Sequence, residues 1–256
     1  QGYKDGRNLP AAPHVSGLSP YLTTGEISPR QARQAALSAA EQAGGALDAD
    51  FETFERELYW RDFSHNLLFF GDDITTKNHQ PKFDAFPWAD DEAAFKAWTR
   101  GQTGYPIVDA GMRELWHTGY MHNRIRMVTA SFLTKHLLID WRRGEQWFWD
   151  TLVDADPASN PANWQWGAGS GADAAPYFRI FNPMTQGTKF DADGQYVRQW
   201  VTELAGLPDK HLNTPWEAPA AILEMAGIRL GETYPEPIVD HKAARERALA
   251  AYKEIK

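Results

Sequence analysis

Three places in the chain hold residues whose types and spacing suit chemistry. In the stretch from about Asp50 to Phe70, Glu57, Trp60, Arg61 and Ser64 fall at i, i+3, i+4 and i+7. On a helix that spacing lines them up along one face. The apolar residues Phe51, Phe54, Leu58, Leu67 and Leu68 are expected on the opposite face. A Glu–Arg pair at this spacing is by itself a surface salt bridge, but a large Trp inside such a face is less easily dismissed. Farther on, GYMHNRIRMVTASFLTKHLLIDW sets Asn123, Met127, Ala130 and Thr134 on one face of an apolar helix, with Arg126 beside it. Asn and Arg buried there without partners would be costly, so they reach solvent or bind something. Asp154 or Asp156 is the expected buried partner of Arg126, and a structural salt bridge would account for it.

The third place is the stretch from Asp154 to Asp191, DADPASNPANWQWGAGSGADAAPYFRIFNPMTQGTKFD. It has no sustained apolar period, holds Gly167, Gly169 and Gly171 within five residues, and carries Trp164, Trp166, Tyr177, Phe178, Phe181 and Phe190. Disordered segments are poor in aromatics, so an ordered irregular loop is expected. Two readings stand side by side. Glycines and aromatic faces could meet something flat and polar, or the stretch could be a glycine-rich connector pinned by core aromatics.

The elements that must position these residues read as helices. Ser28-Pro29 is a helix start, a capping Ser followed by Pro in the first turn, and the helix is expected to run to Gly44. Others are expected over Asp50–Phe70, Asp90–Arg100, Pro106–His117 with Gly119 as its stop, Met121–Trp141, Glu145–Val153, Gln195–Leu204, Pro219–Ala226 and His241–Ile255. Residues 1–27, rich in Pro, Gly, Ser and Thr, read as a loop with short turns. No period-2 run indicates a strand, and no clean boundary divides the chain. The expectation is an all-α fold, one multi-helix domain over residues 1–256 with long ordered loops.

Composition narrows the function classes. The 256 residues include no Cys, which removes disulfides, thiolate zinc sites and a cysteine nucleophile. The eight His are scattered without HExxH or a His/carboxylate cluster, so no metal is expected. GxSxG and Walker motifs are absent, and the glycines from Gly167 to Gly171 follow no strand, the wrong context for a dinucleotide fold. A net charge of −8 argues against a nonspecific nucleic-acid binder and leaves room for a local basic groove. With no apolar run of spanning length and no signal-peptide pattern, a cytoplasmic monomer with no membrane association is expected. The chain opens at Gln1 without an initiator Met and is read as a fragment or processed product. Eleven Trp is the one unusual count.

LYWRDF, TGYPIVDAGMRELWHTGYMHNRIRMVTASFLTKHLLIDWRRGE and NWQWGAGSGADAAPYFRIFNPMTQGTKFD occur in one order at one spacing. Together with LSPYLTTGEISPRQ and YPEPIVDHKAARERALAAY they closely resemble the FAD-binding helical domain of the photolyase/cryptochrome family. Within it, HNR followed by Met127 and the absence of a His pair in MHNRIRM resemble class I cyclobutane pyrimidine dimer photolyases. The resemblance implies FAD as cofactor and light-driven cleavage of the dimer by an electron from excited reduced flavin. Its DNA partner carries that dimer, flipped out of the duplex. The family's N-terminal α/β domain, which holds an antenna chromophore in relatives, has no counterpart here and would be an intramolecular partner.

The roles that follow are those of matching family positions. Glu57 would hydrogen-bond the dimer, Trp60 and Trp166 would stack on it, and Asn123 and Met127 would lie beside it. Such stacking is worth about 1–3 kcal/mol per base. Arg7, Arg124 and Gln186 match DNA-contacting positions. FAD would be held by Tyr3, the turn of Val15, Ser16, Gly17, Leu18 and Ser19, and by Arg61, Arg126, Asp154, Asp156 and Asn160, with Asn160 facing the flavin N5. Trp164, Trp141 and Trp88 match an electron-transfer chain running outward from the flavin. The chain departs from the family at the phosphate turn, where Gly-Thr-Ser reads His14-Val15-Ser16 and Gly17 replaces a common Arg, leaving backbone N–H groups to hold the phosphates. The other readings are a cryptochrome-like blue-light receptor using the same FAD and Trp chain, and a flavin-binding remnant without activity.

Overall fold

Capping chemistry sets most of the helix boundaries. Residues 1–71, 73–173 and 178–256 are described by a computed structural model. Tyr177 lies outside them. The lead-in carries two short helices, α1 (Tyr3–Gly6) and α2 (Ser19–Thr24), where only turns were expected. The Ser28 and Gln31 side chains cap one another reciprocally to start α3 (Pro29–Gln42). Helix α4 (Asp48–Phe70) has 23 residues, about 35 Å of continuous helix. Asp91 caps α5 (Glu92–Thr99), and α6 (Pro106–Thr118) starts on Pro and stops at Gly119 in the left-handed region, φ 70°. The second half holds α7 (Asn123–Ser131), α8 (Trp141–Thr151), α9 (Ser159–Ala168), α10 (Pro183–Phe190), α11 (Gln195–Trp200), α12 (Asp209–Leu212), α13 (Ala220–Met225) and α14 (His241–Glu254). Among the described residues the only β pairing is an isolated bridge between Leu230 and Tyr234. The all-α expectation holds.

Three expectations are corrected. The helix expected over Met121–Trp141 is broken: α7 ends at Ser131, a π-turn covers Phe132–His136, and Leu138 takes φ 55° before Asp140 caps α8. The helix expected over Gln195–Leu204 stops at Trp200, followed by a 3-10 turn over Thr202–Leu204. The stretch from Asp154 to Asp191 is not mainly irregular, since α9 and α10 account for much of it. Asn182 caps α10 through Thr185 N–H, with Pro183 at the position where a missing N–H costs nothing.

Two apolar clusters hold these helices. The larger joins α5, α6, α7, α8, α9 and α11 through Trp98, Val108, Ile125, Phe132, Trp141, Phe148, Trp164 and Val197. Burying each such large side chain contributes about 1.5–3 kcal/mol. The smaller joins Phe83, Phe86, Leu138 and Phe178 to Ala248 and Ala251 of α14. Helix α4 packs against α1, α3 and α9, and a space is left between α4, α7 and α9.

Candidate flavin and nucleic-acid site

That space is a cavity of about 600 Å³, within the roughly 300–1,000 Å³ of small-molecule and cofactor sites. Its floor is apolar: Phe148, Leu152, Trp164 and Ala130. Trp164 is seated by Phe148 at 4.9 Å and Trp98 at 6.1 Å, both edge-on.

One end of the cavity is built from two buried carboxylates, each tied to an arginine from another helix. Arg126 Nη2 donates to Asp154 Oδ2 at 2.8 Å and Oδ1 at 3.0 Å, while its Nε donates to the Met121 carbonyl at 2.6 Å. The expected partner of Arg126 is thus found. Arg61 Nη2 reaches Asp156 Oδ2 at 3.4 Å and the Leu22 carbonyl at 3.2 Å. Asp156 Oδ1 accepts from the N–H groups of Ala158 and Ser159 at 3.0 and 2.8 Å, fixing the start of α9. Around this end lie Ser16, Gly17, Ser19, Thr23 and Val15, the last 37% exposed. Leu18 does not line the cavity; its N–H donates to Ser16 Oγ at 3.4 Å.

Asn160, on the first turn of α9, has its amide held from behind. Its Nδ2 donates to Glu145 Oε1 at 2.9 Å and to the Glu145 carbonyl at 3.1 Å. Both amide hydrogens are committed, which leaves Oδ1 as an acceptor on a residue lining the cavity. Burial raises the Glu145 carboxyl, opposed by the Asn160 hydrogen bond. Glu145 went unassigned in the sequence; its only signal was an acidic residue one turn into α8.

The other end of the cavity opens between α1, α4 and α7. Glu57, Trp60 and Ser64 line it together with Phe54, Leu58 and Leu67, so the polar face of α4 is not opposite the apolar stripe. Both border one surface, because the cavity accepts polar and apolar side chains alike. Glu57 and Arg61 do not pair; Glu57 takes Arg7 of the lead-in as its partner. Asn123, Met127, Trp166, Arg7 and Tyr3 line the same opening, and Tyr3 packs edge-on against Phe54 at 5.7 Å. Arg124 lies outside the cavity, its guanidinium over the Phe190 ring at 4.4 Å and its Nη2 on Asn8 Oδ1 at 2.6 Å. Burial, with Arg179 and Arg7 nearby, lowers its pKa. Gln186, on α10, also lies outside, with a buried Oε1 that makes no hydrogen bond among the described residues.

Of the three Trp expected to form a chain, only Trp164 reaches the cavity. Trp141 is fully buried and donates Nε1–H to Asn78 Oδ1 at 2.9 Å, and Trp88 is half-buried against Phe86 at 4.4 Å. Between the two Trp of NWQW, Gln165 is a strut: its Nε2 donates to the carbonyls of Ile74 and Lys77 and its Oε1 accepts from His79 N–H, pinning the loop after α4. Among the described residues no group of three or more His, Asp or Glu gathers as metal ligands would, and no helix is long and apolar enough to cross a membrane.

This lining fits a group that carries both a flat apolar part and a polar part. Residues 54–254 match the family described as the FAD binding domain of DNA photolyase. The chain belongs to that family. It is 59% identical over its full length to the deoxyribodipyrimidine photo-lyase of Agrobacterium fabrum, covering 53% of that protein. It is 47% identical to the Escherichia coli deoxyribodipyrimidine photo-lyase, with 98% of this chain and 52% of that one covered. A bacterial class III photolyase from Agrobacterium tumefaciens superposes on the whole chain with a TM-score of 0.93 at 58% identity, over 52% of its own length. The chain spans about half the length of the photolyases it matches. These likenesses show the family; class I was expected within it, and the superposed Agrobacterium tumefaciens structure is of a class III photolyase.

Proposed function

We propose that this chain is the flavin-binding catalytic half of a light-driven DNA-repair enzyme, a carbon–carbon lyase acting on cyclobutane pyrimidine dimers. The observation that carries the proposal is that one cavity has two differently equipped ends. Asp154, Asp156, Arg61, Arg126, Ser16 and Asn160 suit the flavin, while Glu57, Trp60, Asn123, Met127 and Trp166 at the opening suit a flipped dimer. When bound, the flavin supplies the light-driven one-electron chemistry.

The chain's own residues orient and exclude. Asn160 presents Oδ1 to the flavin from a position set by Glu145. Trp164, seated by Phe148 and Trp98, closes the floor and keeps water out. Trp60 and Trp166 offer stacking faces, and Trp60 is already 47% exposed. Glu57 offers a carboxylate to the imide edge of a pyrimidine, and Arg7 and Arg124 offer planar donors to the DNA backbone. Trp141 and Trp88 continue outward from Trp164 as a route for reducing the flavin.

The same proposal includes one helical domain over residues 1–256, a monomeric state, a cytoplasmic setting and an α/β partner half carrying an antenna chromophore. A cryptochrome-like receptor is the second reading, favoured by the 44% identity to cryptochrome-1 of Sinapis alba over 91% of the chain. The test is illumination of the reduced, flavin-loaded chain with a dimer-containing single-stranded oligonucleotide. Restoration of intact pyrimidines under blue light and none in the dark is expected. Flavin binding without any light-dependent restoration would reject repair in favour of the receptor.

A further inference from the structure

Helix α1 is a strap fastened to α4 at two points one heptad apart. At its start the Asp50 carboxylate accepts from Gly2 N–H at 2.7 Å and Lys4 N–H at 2.8 Å. At its end the Arg7 guanidinium pairs with Glu57. The first fastening holds backbone to side chain outside the cavity. The second joins two side chains that both line the opening, with 18% of Arg7 and 32% of Glu57 still exposed to solvent.

Arg124 and Arg179 lie outside the cavity beside this opening, and the charges of Arg179 and Arg7 both act on Arg124. They are not equivalent. Among the described residues Arg124 meets the neutral amide of Asn8 and the Phe190 ring, and Arg179 lies over the Phe181 ring at 4.6 Å. Among the described residues only Arg7 of the three is paired with a carboxylate. A nucleic-acid backbone arriving at the surface therefore meets two cations free to take phosphate and one that is engaged.

We propose that the Arg7–Glu57 pair is a specificity latch, opened only by a ligand that satisfies both of its members at once; this rests on the reading of the cavity as a lesion-binding site. Pulling Arg7 to a phosphate leaves the Glu57 carboxylate without its cation in a partly buried place, which is unfavourable unless a donor replaces it. Undamaged duplex presents phosphates but keeps its thymine imide N–H groups engaged in Watson–Crick pairs. A flipped pyrimidine dimer brings an imide N–H for Glu57 and, on the same nucleotides, a phosphate for Arg7. The exchange then leaves neither group without a hydrogen-bond partner. Discrimination against undamaged DNA thus lies partly in withholding one arginine, and Asp50 keeps the strap in place while Arg7 changes partner.

The test is a double-mutant cycle on the flavin-loaded chain, measuring dissociation constants for one duplex with and without a single cyclobutane thymine dimer across a range of salt. Glu57→Gln should free Arg7, tightening the undamaged duplex by about three- to tenfold and steepening its log–log salt slope by about 0.9, the value for one added phosphate contact. In Glu57→Gln/Arg7→Gln that gain and the extra slope should both vanish. Arg7→Gln alone should weaken the dimer duplex and flatten its slope by about the same 0.9. A Glu57→Gln gain that persists without Arg7 would reflect only the loss of a negative charge and would overturn the latch while leaving lesion binding intact. If the unaltered chain shows no preference for the dimer duplex, the lesion-binding reading fails and the latch with it.

Discussion

Gly144→Ala tests how tightly the floor of the cavity is determined. Gly144 lies inside α8 where that helix meets α9, and a Cβ built on it would stand 2.2 Å from Trp164 Cη2 and 2.4 Å from Cζ3, with Leu133 Cδ2 at 2.6 Å. Carbon atoms prefer about 3.5–4.0 Å, so the overlap with the indole exceeds about 1 Å. The Leu133 methyl can rotate away. The indole is rigid and is blocked by Phe148 and Trp98, which leaves the cavity as its direction of retreat. Overpacking of this kind costs about 1–3 kcal/mol, and replacing a helical Gly by Ala returns up to about 1 kcal/mol. The expected outcome is a net loss of up to about 2 kcal/mol in urea unfolding, together with flavin affinity lowered by about tenfold, equivalent to about 1.4 kcal/mol. Flavin titration by absorbance reads the second quantity independently of the first. If the variant were more stable by about 1 kcal/mol and bound flavin as before, Gly144 would not be what seats Trp164.

Arg126→Met leaves Asp154 buried without its cation; the side chain of Arg126 is a quarter exposed, so a loss near the lower end of the about 3–5 kcal/mol for a broken buried pair is expected in urea unfolding. Adding Asp154→Asn should recover part of it. His122 caps α7 by accepting from Arg124 N–H, and burial lowers its pKa to about 4. Because the unfolded chain takes up this proton first, the stability it contributes is present above about pH 6.5 and is lost as pH falls towards 4, about 3 kcal/mol in all. His122→Asn keeps a capping side chain and should flatten that part of the stability profile. Asp109 and Glu114, raised by burial, act in the opposite sense. Trp88→Phe should abolish light-driven flavin reduction by external reductant yet spare repair when the flavin is reduced chemically; loss of the chemically primed repair would make Trp88 a packing residue.

What was legible in the sequence follows from how local each cause is. Ser28-Pro29 and Gly119 act within one helical turn, and both boundaries were readable. Helix α9 was not: SNPANWQWGA meets the core on one side and a cavity lined by polar and apolar side chains on the other, so no 3.6-residue period survives. The break near Leu138 was hidden for a related reason, since FLTKHLLI is buried almost throughout and a uniform run shows no phase. Arg126 and Asp154 could be matched because each alone would be costly when buried. The partner of Glu57 could not, because Arg7 lies fifty residues away and the nearer Arg61 offered a plausible false match. The assignment of flavin and lesion roles came from resemblance, and the cavity now joins most of those residues in one space.

The walls of that cavity come from residues 3–23, 54–67, 120–130 and 148–173. No pair of neighbouring helices makes half of it, so nothing resembling the site exists until segments up to 170 residues apart have docked. A ligand of this cavity therefore has little to hold in the folding transition state, which forms before the most distant contacts are repaid. Flavin present at a hundred times its dissociation constant adds about 2.7 kcal/mol to the folded state. That increment should appear almost wholly as slower unfolding, with the refolding rate hardly changed. Kinetic persistence of the loaded protein, more than the ease with which it first folds, is what this arrangement of distant walls provides.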